Sequence, residues 1–128
     1  IANRTLSKAA QLIDRAALKY SEVQLQALSL RELADAAGSF DLIINSTSLG
    51  LDGDEVSISS DIAVSAFCYD LSYGTTAVFA QWARQAGAKG VADGLGMLVE
   101  QAALSYEIWF GVKPETTKVY QLLSEQLV

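Results

Sequence analysis

The chain has 128 residues, 51% of them hydrophobic and 19% charged, enough for one domain with a real core and too few for two ordinary domains. Its formal net charge of −6, with 9 scattered Lys and Arg residues, excludes a nucleic-acid surface, because phosphate binding needs clustered cations. Having no histidine and a single cysteine, Cys68, the chain cannot assemble the usual zinc spacings or a Ser-His or Cys-His nucleophilic pair, so no metal is expected and any chemistry must come from a cofactor or from residues outside the chain.

No window approaches the roughly 18 consecutive apolar residues of a membrane span, and the N-terminus lacks the layout of a signal peptide. Cys68 lies in the apolar run Ala66-Phe67-Cys68-Tyr69, as a packed thiol would. These features predict a soluble protein of a reducing cytoplasm with no membrane partner.

Apolar residues at Leu6, Ala9, Ala10, Ile13, Ala16 and Ala17 recur at helical spacing and predict a helix over 5–19, with Thr5 as its N-cap. A strand-like stretch follows at 23–28, then Ser29 and Glu32, three apart, predict a capping box for a short helix over 29–33. Asp41-Leu42-Ile43-Ile44-Asn45 is a compact apolar run that suits a buried parallel strand. The Ser-, Gly- and Asp-rich stretch 46–61 reads as a loop with a turn at Asp52-Gly53, leading to a short helix or turn over 59–64. Next come a strand over 66–71, a helix over 76–85 stopped by Gly87, and a strand over 89–93. A helix over 95–110 ends at Gly111, and Pro114 is expected to open a last amphipathic helix reaching about residue 127.

Strands alternating with helices predict the α/β class: a doubly wound, mainly parallel, Rossmann-like sheet. Ile1-Ala2 resembles the end of a strand. In a dinucleotide-binding fold it would be the second, so the first strand and its glycine-rich turn are expected upstream of this chain. Gly94-Leu95-Gly96 does not complete a G-x-G-x-x-G pattern. A sheet lacking that strand would have an unpaired edge, and association with a second copy is expected through it.

Asn3-Arg4-Thr5-Leu6-Ser7-Lys8 stands at a strand end and a helix start, where free N–H groups and the helix dipole favour an anion. Arg4 and Lys8 add two cations, a set that suits the ribose 2′-phosphate of NADP and reads equally as a capped helix with solvated charges. The run Asp93-Gly94-Leu95-Gly96-Met97-Leu98-Val99-Glu100-Gln101-Ala102-Ala103 passes from a strand end through two glycines into a helix. Met97 and Gln101, four apart, share a face there and can address one cleft, or serve simply as helix surface. Asn45-Ser46-Thr47-Ser48 and Tyr69-Asp70-Leu71-Ser72-Tyr73 end the two central strands, where open α/β sheets bind ligands and where polar loop caps are also common.

In order and spacing, Asn3-Arg4-Thr5 with Lys8-Ala9, the run from Asp41 to Gly50, Tyr69 to Tyr73, Asp93 to Ala103, and Trp109-Phe110-Gly111 with Pro114 resemble shikimate dehydrogenase over essentially the whole chain. The resemblance implies reversible hydride transfer between NADPH and C3 of 3-dehydroshikimate, giving shikimate on the route to aromatic amino acids. By that similarity, Asn3, Arg4, Thr5 and Lys8 hold the adenosine 2′-phosphate end, Thr47 and Ser48 lie along the cofactor, and Leu71, Gly94 and Met97 border the nicotinamide. Tyr73 and Gln101 would reach shikimate. Leu71 stands where many relatives have Met, and the segment Gly74-Thr75-Thr76-Ala77-Val78-Phe79 departs from the family's Thr-Pro-Phe.

The family's catalytic Lys and Asp belong to an N-terminal substrate domain that this chain does not include, so no catalytic residue is assigned. Residues 1–128 are expected to form a partial NADP-binding domain with C-terminal helices, inactive by itself. Asn3-Arg4-Thr5 also resembles an element of glutamyl-tRNA reductase, which leaves Asp93 to Ala103 unexplained. The remaining alternative is a non-catalytic binding or assembly module derived from the same domain.

Overall fold

The computed structural model describes residues 1–36, 38, 40–49 and 56–127. The turn expected at Asp52-Gly53, and Gly50, lie outside the described residues. Three strands, β1 (Leu42–Asn45), β2 (Phe67–Asp70) and β3 (Gly90–Ala92), form a parallel sheet in the order β1-β2-β3. Helices α1 (Leu6–Ala17) and α2 (Leu30–Asp35) precede it, α3 (Val78–Gln85) joins β2 to β3, and α4 (Leu95–Phe110) and α5 (Thr117–Gln126) follow. Single 3-10 turns occur at Ser60–Ile62 and Gly74–Thr76. The result is an open, parallel α/β sheet of Rossmann-like type.

The strand register places Ile43, Cys68 and Val91 in one row across the sheet. That row meets Phe79 and Ala83 of α3, with Ala63 and Ala66 beside them, and this is the core. The neighbouring row is Leu42, Phe67 and Gly90, where a Cβ added to Gly90 would lie 2.6 Å from the Phe67 ring. Glycine thus makes room for an aromatic ring across the strand pair. The apolar run of β1 predicts burial on both faces, yet Leu42 and Ile44 are 53% and 56% exposed. Side chains alternate across a sheet, and α3 packs on the Ile43 side.

The outer edge of β1 is free in this sheet. Asp41 and Asn45 direct their carbonyls to Phe67 N and Leu71 N of the β2 side, so backbone alternation turns the N–H and C=O of Leu42 and Ile44 the other way. Facing that edge, Ala2 makes an isolated parallel bridge with Leu28. A cavity of about 400 Å3 separates the two, lined by Ala2, Leu28, Ile44, Asn45, Thr47 and Phe79 among others.

Several local expectations hold. The Ser29–Glu32 capping box is complete, and hydrogen bonds from the Ser29 backbone and hydroxyl hold the Glu32 carboxyl below its ordinary value. Gly87 and Gly111, at φ +78° and +74°, stop α3 and α4 in the left-handed conformation that glycine tolerates.

Others differ. The stretch 23–28 pairs only at Leu28, because its partner turns away at Asn3, whose side chain accepts from Thr5 N at 2.8 Å. Thr5 is the N-cap of α1 by position but makes no side-chain capping bond. A 3-10 turn occupies residues 74–76, so α3 begins at Val78. Pro114 lies outside α5, since Glu115 accepts from Thr117 N at 2.8 Å and sets the helix start after Thr116.

Cys68 is fully buried, and burial pushes its thiol above the ordinary pKa. The unfolded thiol ionises near roughly 8.5, so rising pH favours the unfolded thiolate. The stabilisation is complete below that value and is lost as pH rises through it toward the folded-state pKa. Denaturant titrations between about pH 7 and pH 10 should show a falling midpoint, and Cys68→Ala should flatten the fall. An identical pH dependence in both proteins would refute the burial effect.

Candidate functional site

The C-terminal ends of β1 and β2 are joined by a buried carboxyl group. Asp70, with no solvent exposure, accepts from Asn45 Nδ2 at 3.0 Å and Ser72 N at 3.1 Å through Oδ1, and from Ala80 N at 3.0 Å through Oδ2. One side chain therefore ties β1 to β2, shapes the loop after β2, and caps the first turn of α3. The other end of the Asn45 amide continues the network: its Oδ1 accepts from Thr47 N at 3.2 Å and Thr47 Oγ1 at 2.7 Å. Thr47 Oγ1 in turn accepts from Leu49 N at 3.2 Å. Every buried side-chain polar atom among the described residues has a partner.

Asn45 and Asp70 were not singled out individually from sequence. A polar residue closing each of two apolar strands was the available signal, and it reads as a loop cap until the two strands are placed side by side.

The second junction is a backbone contact. A Cβ at Gly94 would fall 2.1 Å from the Leu71 carbonyl oxygen, so only glycine allows α4 to approach the loop after β2. Gly94 N donates to Ser72 O at 2.8 Å, and Asp93 Oδ1 accepts from Leu95 N at 3.1 Å, so α4 begins at Leu95, within the double-glycine run. Leu71 and Ser72 are thereby set against the start of α4. Met97 is 44% exposed and Gln101 lies exposed one turn further on. Gln101 Nε2 donates to Leu98 O of its own helix at 2.9 Å.

The third component is the start of α1. Arg4, Thr5 and Lys8 are exposed, and among the described residues neither Arg4 nor Lys8 has an ion-pair or hydrogen-bond partner for its side chain. Asn3 is engaged locally, donating from its backbone to Leu28 O and accepting from Thr5 N. Two cations without side-chain partners among the described residues thus flank the start of α1, where Lys8 N donates to Thr5 O at 3.0 Å. Ser48 is exposed at the mouth of β1. Thr47 and Ser48 follow β1, Leu71 and Tyr73 follow β2, and the close approach of Leu71 to Gly94 brings the loop after β2 to the start of α4, the helix that carries Met97 and Gln101. The Asn3–Lys8 segment stands across the cavity from Thr47, on the Ala2 side. Among the described residues, no cluster of His, Cys, Asp and Glu could hold a metal ion, and no helix is long and apolar enough to cross a membrane.

An open parallel sheet with its polar groups at the carboxyl ends of the strands defines a Rossmann-like α/β unit. The family model for the Shikimate 5'-dehydrogenase C-terminal domain matches residues 94–123. A shikimate dehydrogenase (NADP(+)) of Vesicomyosocius okutanii is 46% identical over 93% of the chain, and one of Vibrio cholerae is 44% identical over 99% of it. A shikimate dehydrogenase solved in complex with NADP+ superposes with a TM-score of 0.77 at 27% identity, covering 100% of this chain and 46% of that one. Over nearly its whole length the chain is similar to the C-terminal part of these shikimate dehydrogenases. It spans 43% and 44% of the length of the two curated relatives.

Asp70→Ala should be strongly destabilising. It leaves two buried donors, Asn45 Nδ2 and Ala80 N, and the part-buried Ser72 N without an acceptor, and at about 1–3 kcal/mol for each buried unsatisfied group a loss of about 2 kcal/mol or more is expected. Urea unfolding gives the value, and Asn45→Ala completes a double-mutant cycle whose coupling should exceed about 0.5 kcal/mol. Strict additivity would show that the Asn45–Asp70 bond does not join the strands energetically.

Proposed function

We propose that this chain is the NADP-binding portion of a shikimate dehydrogenase that reversibly reduces 3-dehydroshikimate to shikimate. The observation that carries the cofactor side is the pair of unpartnered cations, Arg4 and Lys8, at the N-terminus of a helix of 12 residues. A guanidinium can fork onto a phosphate and stack on an adenine face, and a carboxylate in its place would favour NAD instead. The agreement of the whole chain with NADP-dependent relatives supports the same reading.

In this reading Arg4, Lys8 and the Asn3–Thr5 turn bind the 2′-phosphate end. Thr47 and Ser48 lie along the cofactor at the mouth of β1. Leu71, the backbone of Gly94 and the Met97 thioether form an apolar border for the nicotinamide, limiting water at the reacting face. Tyr73 and Gln101 orient the substrate, Gln101 after releasing its bond to Leu98 O. When bound, NADPH supplies the hydride. Catalysis needs the reacting carbon held at near-attack distance, and these residues contact one side of the substrate. The remaining contacts, and the acid-base groups, are assigned to the part of the relatives' length that this chain does not span. The chain by itself is accordingly proposed to be inactive, within a cytoplasmic enzyme.

The free edge of β1 is proposed as a self-association surface, because unpaired N–H and C=O groups accept another strand. Light scattering of this chain across a dilution series should show mass rising with concentration. A monomer at every concentration would refute it.

Cofactor choice gives the sharper test. In the protein extended to the relatives' full length, Arg4→Asp should weaken NADP binding by about 2 kcal/mol or more and leave NAD little changed, since it removes a charge-assisted bond and adds repulsion. Fluorescence titration with both cofactors measures it. Equal losses would show that Arg4 does not read the 2′-phosphate.

A further inference from the structure

The C-terminal helix touches both elements that carry the proposed substrate contacts, and this inference rests on the functional reading above. Tyr120 of α5 lies over Gly96 in the first turn of α4: a Cβ built on Gly96 would be 3.9 Å from Tyr120 Cε2. Seven residues on, at the C-cap of α5, Leu127 lies over the loop after β2. Its Cβ and carbonyl oxygen would each be 3.4 Å from a Cβ on Gly74. Leu127 also closes a recess of about 470 Å3 whose other walls are Ser72, Tyr73, Thr75 and Thr76. The near end of α5 is held by Glu100 of α4, which accepts from Thr116 Oγ1 at 2.7 Å and meets Lys113 Nζ at 4.0 Å.

We propose that α5 is a strap, with Tyr120 and Leu127 as positioning residues that set Tyr73 and the Met97–Gln101 face of α4 at the spacing the substrate requires. Gly74, at a φ of +60°, has no side chain, and Leu127 packs against its bare backbone. Gly96 likewise presents bare backbone to the Tyr120 ring. Two glycines in separate elements receive two side chains of one helix, so a shift of α5 moves both elements together. Gly94 joins the same two elements from beneath, through Leu71.

Two readouts test the strap. In this chain, labelled with 3-fluorotyrosine and with methyl-labelled Met97, its only methionine, Leu127→Ala should shift and broaden the Tyr73 resonance, assigned with Tyr73→Phe. Tyr120→Ala should displace the Met97 methyl signal. The Tyr20 resonance should not move in either variant. In the protein extended to the relatives' full length, each substitution should raise KM for shikimate about fivefold or more with KM for NADP unchanged, the pattern of a lost substrate contact. Tyr120→Phe and Leu127→Met should restore it. General destabilisation would instead lower the rate at saturation without this split. Unmoved Tyr73 and Met97 signals overturn the strap whatever the substrate is, and displaced signals with an unchanged shikimate KM overturn the positioning role. An extended wild-type protein that turns over no shikimate overturns the functional reading, while the two resonances still decide the strap.

Discussion

The arrangement of this fold depends on a single buried carboxyl group. Asp70 has no contact with solvent, and its three acceptor bonds run to three different parts of the chain: the Asn45 side chain of β1, the Ser72 backbone of the following loop and the Ala80 backbone of α3. A carboxyl group removed from water is tolerated only when its lone pairs are occupied, so each partner's position is constrained by the others. The constraint passes outward. Because Asn45 Oδ1 is bonded to both the hydroxyl and the backbone of Thr47, the loop after β1 takes its shape from the same centre.

A second constraint is steric, and it acts where the first leaves off. The Leu71 carbonyl occupies the space that any side chain on Gly94 would need, so the β2 loop and α4 meet backbone to backbone. The hydrogen-bonded centre and the glycine contact are adjacent at the end of β2, at Asp70 and Leu71. Together they bring the ends of two strands and the start of a helix to one side of the sheet, the side on which open α/β sheets bind ligands. A polar network supplies direction and a missing side chain supplies closeness.

The core is lopsided by comparison. Small residues, Ala63, Ala66 and Ala83, with Cys68, allow Phe79 of α3 to sit close on one face. Leu42, Ile44 and Phe67 on the alternate positions remain substantially exposed. Apolar side chains left at the surface of a sheet, together with a free strand edge, weaken the discrimination between this packing and pairing with another chain. The side at the carboxyl ends of the strands is thus more tightly specified than the flank formed by β1 and the Ala2–Leu28 bridge.

Much of the local structure was legible in the sequence, because it depends on neighbours along the chain. The Ser29–Glu32 capping box, the glycine stops at Gly87 and Gly111, and the helix over 95–110 each involve residues within one or two turns, and the structure contains all of them. The strands ending at Asn45 and Asp70 were visible as apolar runs, and the residues proposed to contact ligand were visible as a resemblance. What only tertiary structure decided involves partners far apart in sequence. That the stretch 23–28 pairs only at Leu28 depends on Ile1–Asn3. Above all, Asn45 and Asp70 are 25 residues apart and Asp70 and Ala80 are 10 apart. In sequence each is an ordinary polar residue at the end or start of an element. Burial, which strand pairing alone produces, turns them into mutually required partners.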